Sequence, residues 1–431
     1  MKNILPLMLI AILWSCSSSD HSDAASDSSA VSAESAATEQ LAPAEPRLSG
    51  LWRGVLDSPG GELPFGIQLA QTADGYQAKI LNGPEQVDTS AVLVTGSQVE
   101  IQFSWYDARL KATVDATGQS MHGEWSKTAA DEHISRLPFT ATKGYPYRFR
   151  ADHSKLDASD VGGVWQVEFV DEDGPSVAVG EFQQSGTKVN GTFLTPTGDY
   201  RYLAGQVQAG VLRLSAFDGA HAFLFEAHLE GNQLTGDFWS RDTYHATWTA
   251  HRNDQAHDVL PDAWQAVKLT TDEIQFAFPD ETGQLVRLSD PRFANKAVII
   301  NIFGTWCPNC NDEAPVLAGF YQQYRDQGLE IVGLAFEYTD DPVRDFQQIA
   351  AFRQRHGIDY PLLRAGQNDK AEAAQILGFV DQIVAYPTSL FLDRDHRVVN
   401  IHSGFAGPGT GAHYEQLVQQ LEAQIQALLL E

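Results

Sequence analysis

The chain has 431 residues, 43% of them hydrophobic and 10% aromatic, which is enough apolar material for two or three packed domains. Asp and Glu number 56 against 29 Lys and Arg, and the formal net charge of -27 excludes electrostatic binding of nucleic acid or anionic lipid head groups. Only 3 cysteines occur, at positions 16, 307 and 310, so no framework of structural disulfides is available.

At the N-terminus Lys2 supplies a short positive region, and Ile4 to Trp14 is almost wholly apolar. That run is too short for the roughly 20 residues of a spanning helix, so residues 1–16 are predicted to be a signal peptide. Leu13-Trp14-Ser15-Cys16 resembles a bacterial lipobox, which implies a Cys16 that is lipidated and becomes the first residue of the mature protein. Ordinary secretion and an uncleaved anchor are the alternatives, since Trp14 is bulkier than the usual occupant. Ser17 after the cysteine points, by the same resemblance, to the outer membrane of a Gram-negative envelope. Residues 17–46 are dominated by Ser, Ala, Asp and Glu and cannot repay the entropy of ordering, so a flexible tether is expected there.

From Leu48 to about Arg252 short alternating segments rich in Val, Phe, Tyr, Trp and Thr are punctuated by Gly and Asn, with no helical period. The segment carries an internal repeat. Gly50-Leu51-Trp52 recurs as Gly163-Val164-Trp165, and Gly118 with Gly123-Glu124 recurs as Gly231 with Gly236-Asp237, each 113 residues on. Tyr106-Asp107 is paired with Phe217-Asp218 at an offset of 111. Two copies of one antiparallel β module are predicted, over 48–144 and 161–252, each long enough for a barrel-like sheet of about eight short strands. Trp52 and Trp165 are read as core residues, with partner or ligand binding as the alternative.

Beyond Leu260 strands alternate with amphipathic helices, the grammar of an α/β domain over 260–431. A hairpin is expected over Phe276–Arg287, a buried strand over Ala297–Phe303, and a helix from Cys307 with Leu317, Phe320, Tyr321 and Tyr324 on one face. A strand over Glu330–Phe336, a helix over Val343–His356, a strand from Pro387 to Leu392, a strand over Val398–Ile401 and a last helix carrying Leu417, Leu421, Ile425 and Leu428 complete the prediction. Trp306-Cys307-Pro308-Asn309-Cys310 therefore falls where a buried strand gives way to a helix. Two thiols at that spacing form a reversible dithiol switch.

Four matches make residues 260–431 similar to the TlpA/ResA-type thiol-disulfide oxidoreductases of the thioredoxin superfamily: the Trp-Cys-Pro-Asn-Cys run after a strand, Tyr386-Pro387-Thr388 before a later strand, Glu313 beyond the second cysteine, and Pro315 within the helix. The resemblance implies a thioredoxin-like α/β fold for 260–431, so that with the repeat the whole chain is expected to be duplicated antiparallel, barrel-like β modules followed by a thioredoxin-like domain. It implies Cys307 as attacking thiol and Cys310 as resolving thiol, with a cis-proline at Pro387 facing them. It also implies disulfides of envelope proteins as substrates, a membrane thiol carrier as electron donor, and clients such as cytochrome c precursors.

The residues themselves agree with those roles. A helix N-terminus favours the Cys307 thiolate through its free N–H groups and dipole, and Pro308 suits the first turn because it has no N–H to leave unpaired. Trp306 is expected to shield the thiols, ordinary core burial being the alternative. Tyr386 is expected to offer its backbone to an extended substrate, unless Pro387 is an ordinary trans loop residue. Glu313 is the candidate base for Cys310; a surface acid is the alternative reading, and Asp312 beside it is expected to be solvated. Glu337 is a weaker candidate for proton transfer. No cofactor and no metal are expected, because His356, His396, His402 and His413 show no ligand spacing with the cysteines. A peroxiredoxin signature would need Pro and Thr where Ile300 and Gly304 stand. Within dithiol chemistry an oxidant or isomerase remains an alternative to a reductase, and so does a partner-binding β protein with an accessory redox domain.

Overall fold

A computed structural model describes residues 48–128, 133–145, 147–149 and 159–430. The predicted signal peptide, Cys16 and the tether lie outside the described residues.

The first module comprises β1 (Gly50–Ser58), β2 (Gly61–Thr72), β3 (Gly75–Asn82), β4 (Glu85–Asp88), β5 (Ala91–Thr95), β6 (Gln98–Phe103), β7 (Ala108–Val114), β8 (Ser120–Thr128) and β9 (Ile134–Lys143). The sheet runs β2-β1-β9-β8-β7-β6-β5-β3-β4, and an extra pairing of β2 with β3 closes eight strands into a ring with β4 appended. Along β9 every second side chain is buried, as a closed sheet with one face inward requires. Closure leaves few exposed strand edges to template aggregation.

The second module repeats this with β10 (Gly163–Asp171), β11 (Gly174–Ser185), β12 (Lys188–Thr195), β13 (Gly198–Asp199), β14 (Leu203–Gln208), β15 (Val211–Phe217), β16 (Ala222–Glu230), β17 (Gln233–Ser240) and β18 (Tyr244–Arg252), in the same order and with the same closing pair. The repeat extends to side-chain chemistry. Trp52 and Trp165 are both fully buried and each donates its indole N–H to the carbonyl four residues earlier, Leu48 at 2.8 Å and Val161 at 2.9 Å. A cation lies over each indole, Lys143 at 5.4 Å and Arg252 at 4.6 Å. Gly123 and Gly236 mark matching close approaches, since a Cβ on either would fall 1.9 Å from a carbonyl oxygen of the adjoining strand. The Tyr106/Phe217 pairing does not hold: Tyr106 sits in the 3-10 turn after β6, whereas Phe217 ends β15. Phe217 instead enters the core of the first module, 4.4 Å from Phe65 and edge-on to Phe103 and Trp125, and so joins the two modules.

After a small hairpin of β19 (Ala277–Pro279) and β20 (Leu285–Arg287), the C-terminal domain forms a five-stranded sheet ordered β23-β22-β21-β24-β25. Its strands are β21 (Ala297–Phe303), β22 (Leu329–Glu337), β23 (Leu362–Gln367), β24 (Thr388–Leu392) and β25 (Val398–Ser403), the first three parallel and the last two antiparallel. Every residue of β21, β22 and β24 is buried, which requires cover on both faces. The cover comes from α1 (Pro308–Tyr324), α2 (Pro342–His356), α3 (Lys370–Leu377) and α4 (Ala412–Leu430). Leu417, Leu421, Ile425 and Leu428 are the buried residues of α4, the stripe its sequence period predicts. Between His356 and Tyr386, where no element is predicted, the chain forms β23 and α3. Their apolar runs are too short and too interrupted to show a period.

Candidate redox site

The turn between β21 and α1 is held from four sides. Gly304 is required because a Cβ there would meet the Trp306 indole nitrogen at 2.2 Å. Thr305 donates its N–H and its hydroxyl to the two carboxylate oxygens of Glu337, at 2.9 and 2.7 Å. Asn311 donates its amide to the carbonyls of Thr305 and Cys307, both at 3.0 Å, and its own oxygen faces His356. Trp306 donates to the Phe336 carbonyl at 2.8 Å, stacks on Tyr338 at 4.7 Å and meets Tyr386 edge-on at 5.5 Å. Glu337 is thus engaged by Thr305 through both oxygens, a placement that anchors the turn.

Cys307 occupies the N-cap of α1, with Pro308 as the first helical residue. Both thiols are free. The Cys310 N–H donates to the Cys307 sulfur at 3.2 Å, and the Cys307 thiol donates to the Tyr386 carbonyl at 3.3 Å. The Tyr386-Pro387 bond is cis. The helix terminus, the two sulfurs and the proline loop are therefore brought together. Burial pushes the Cys310 thiol well above its ordinary value, and the neighbouring Cys307 reinforces the shift.

Glu313 is buried beneath this pair. It reaches from α1 to a β21–β24 rung in which Asn301 and Ser389 are directly paired. The Asn301 amide donates to it at 2.6 Å and the Ser389 hydroxyl at 3.2 Å. Burial raises this carboxyl to about 7, and the two hydrogen bonds oppose the shift without cancelling it. A carboxyl with that midpoint can take up and release a proton near neutrality.

The sulfurs are nearly covered, Cys307 at 5% and Cys310 at 2% relative exposure, and residues outside the C-terminal domain supply part of the cover. Asn309 donates to the Thr197 carbonyl of the second module at 3.3 Å. Asp312 is not solvated as its sequence position suggested, because Arg201 of the second module lies 2.8 Å from it. From the first module, buried Lys127 sets its ammonium 5.7 Å over the Tyr106 ring and 5.8 Å over Tyr338, near enough for its charge to bear on Cys307. Burial lowers Lys127 to about 7, and Arg241 adds to the effect. The sequence carries a trace of this residue, since Lys127 is in phase along β8 with the core residues Met121 and Trp125.

Residues 270–401 match the AhpC/TSA family. The chain is 27% identical over 153 residues to the thiol-disulfide oxidoreductase ResA of Bacillus thuringiensis subsp. konkukian, covering 36% of this chain and 74% of that one. It is 26% identical over 140 residues to ResA of Bacillus subtilis, with 32% and 70% covered. Among solved structures it is similar to a thiol:disulfide interchange protein of the thioredoxin family from Chlorobium tepidum, with 21% identity, a TM-score of 0.29, and 37% and 96% covered.

Proposed function

The C-terminal domain is a thioredoxin-superfamily domain of the TlpA/ResA thiol-disulfide oxidoreductase type, and from that premise we propose an exported reductase of envelope-protein disulfides that works through Cys307 and Cys310. The protein is a redox enzyme acting on protein disulfides. In the proposed cycle the Cys307 thiolate attacks one sulfur of a substrate disulfide. That S–S bond breaks, a mixed disulfide forms, and the departing substrate thiolate takes a proton. Cys310 then gives its proton to Glu313 and attacks the Cys307 sulfur, which closes the internal disulfide and expels the second substrate sulfur as a thiolate that takes a proton from solvent. Two electrons pass to the substrate. A membrane thiol carrier returns them by the reverse exchange.

The observation that carries this reading is the placement of the Cys307 sulfur at a helix N-terminus, between the Cys310 N–H and the Tyr386 carbonyl. In the resting site that carbonyl is occupied by the Cys307 thiol. Once Cys307 has ionised, the Tyr386 backbone is released to an extended substrate segment. Trp306 and Pro387 then act as the walls of the docking cleft. Cys307→Ser is expected to abolish insulin-disulfide reduction while leaving the fold and any binding by the β modules intact; retained reduction would remove Cys307 from the mechanism. Reductive direction is supported by the resemblance to ResA and by Glu313. Equilibration of the dithiol with glutathione tests it, because a strongly oxidising potential would make the protein an oxidant or isomerase instead.

The envelope location and the lipid anchor, on the outer membrane of a Gram-negative cell, rest on the Leu13-Trp14-Ser15-Cys16-Ser17 sequence. Incorporation of labelled palmitate that disappears in Cys16→Ala is the expected result. Unlabelled wild-type protein would discard the anchor.

A further inference from the structure

Away from the dithiol, three side chains from three segments converge on one point. Glu181 lies on β11, His257 in the 3-10 turn Ala256–Val259 that follows the second module, and His413 in the first turn of α4. The Glu181 Oε1 atom is 2.6 Å from His257 Nε2 and 2.9 Å from His413 Nε2, and the two imidazole centroids are 4.7 Å apart. All three potential ligand atoms lie within 4.8 Å of one another, and each residue is partly buried.

Two imidazoles aimed nitrogen-first at a single carboxylate oxygen make a donor set that the packing of the surrounding elements does not by itself require. Four-coordinate zinc, with bonds of about 2.0–2.1 Å, holds neighbouring ligand atoms about 3.3 Å apart. The carboxylate-to-imidazole contacts therefore need to open by only about 0.4 to 0.7 Å to admit an ion. We propose that Glu181, His257 and His413 form a binding site for a divalent transition metal of the zinc class, with a fourth position left to water or an exogenous ligand. Glu181 and His413 also line a groove with Thr192, Tyr202 and Gly411, which gives solvent a route to that position.

The donor types set the metal class. Two imidazoles and one carboxylate suit Zn²⁺, with Cu²⁺ and Ni²⁺ as competitors, and do not suit Mg²⁺ or Ca²⁺, which take oxygen ligands. The net charge of -27 raises the local concentration of cations around the whole molecule. In the metal-free state both Nε2 atoms can donate to Glu181; a neutral imidazole that takes the ion on Nε2 carries its hydrogen on Nδ1 instead, and an imidazolium gives up one proton on binding. Because Glu181 and His257 come from the second module and its exit while His413 belongs to the C-terminal domain, the ion joins the two. Its role is that of a clip, separate from electron transfer.

The test titrates the full chain with Zn²⁺ by calorimetry after the dithiol has been oxidised, so that Cys307 and Cys310 cannot act as competing ligands. One saturable equivalent is expected. Co²⁺ in its place should give the absorption of a nitrogen and oxygen site without thiolate charge-transfer bands. His257→Ala and His413→Ala should each weaken binding by at least about tenfold, the scale on which even supporting groups around a metal act. Glu181→Gln keeps the side-chain shape and provides the same test should either histidine variant fold poorly. None of the three residues touches the dithiol, so insulin reduction by the zinc-free variants should match that of the zinc-free parent. Absence of a saturable equivalent, or an equivalent that survives all three substitutions as adventitious surface binding, overturns the proposal.

Discussion

Glu313 and Lys127 are both buried ionisable residues near the sulfurs, and both have midpoints near neutrality, but their charges act in opposite senses. The Glu313 carboxyl is raised from 4.5 to about 7, so between those pH values the folded protein holds a proton that the unfolded chain has lost. The contribution to stability is present below about 4.5 and is lost as pH rises through 7, at a cost of about 3 kcal/mol for a shift of that size. Glu313→Gln is therefore expected to be more stable than the parent at pH 8, by up to that amount, and nearly equal to it at pH 4.5 in urea unfolding. The same variant should resolve a trapped mixed disulfide about 100-fold more slowly at pH 7, the scale on which a positioned base acts. An unchanged resolution rate would leave Glu313 with a structural role only. For Lys127 the positive charge favours the thiolate, and a unit charge within a partly buried cleft is worth about 1 kcal/mol. Lys127→Met should slow iodoacetamide alkylation of Cys307 about fivefold below pH 7. The difference should narrow above pH 7, where Lys127 itself becomes neutral. A difference that persists undiminished at pH 9 would show that shape, and not charge, is responsible.

At the scale of single elements, sequence and structure agree where one segment contains its own explanation. The buried run Ala297–Phe303, the stripe on α4 and the cysteine pair at the mouth of α1 all depend on neighbours within a turn or a strand. The duplicated β region was legible for a related reason, since two copies of one sequence fold through the same local close approaches at Gly123 and Gly236. What could not be read comes from contacts between segments. Asp312 sits on α1 at a position that helical spacing assigns to one side, but spacing says nothing about what covers that side, and Arg201 arrives there from 111 residues earlier. Lys127 reaches the redox site from 180 residues before Cys307. Its strand phase marks it as inward-facing, but no local pattern reveals that a tyrosine of another domain completes its pocket. Glu313 was recognisable through the family resemblance, whereas its anchorage to Asn301 and Ser389 depends on the pairing of β21 with β24.

Across the whole molecule, Arg201 is the residue that ties all three globular parts. Its guanidinium lies 2.7 Å from Glu85 of the first module, 2.9 Å from Asp218 of its own module and 2.8 Å from Asp312 of the C-terminal domain. All four groups are withdrawn from water. Removing the cation leaves three carboxylates facing one another, and breaking a buried pair in this way costs about 3–5 kcal/mol. Arg201→Met should lose that much stability at pH 8 in guanidinium unfolding. The loss should be smaller at pH 5, because burial already raises Asp312 to about 7, even against Arg201, and a protonated Asp312 no longer repels its neighbours. Since Asp312 belongs to α1, whose N-terminus carries Cys307 and Cys310, and the loop carrying Thr197 caps Asn309, loosening this contact should also uncover the sulfurs. Alkylation of Cys307 in the folded variant is therefore expected to accelerate several-fold, in the opposite direction to Lys127→Met. Asp312→Asn added to Arg201→Met should recover part of the stability without restoring the slow alkylation. If alkylation stays at the parent rate while stability falls, the β modules do not govern access to the dithiol, and the cover over Cys307 belongs to the C-terminal domain alone.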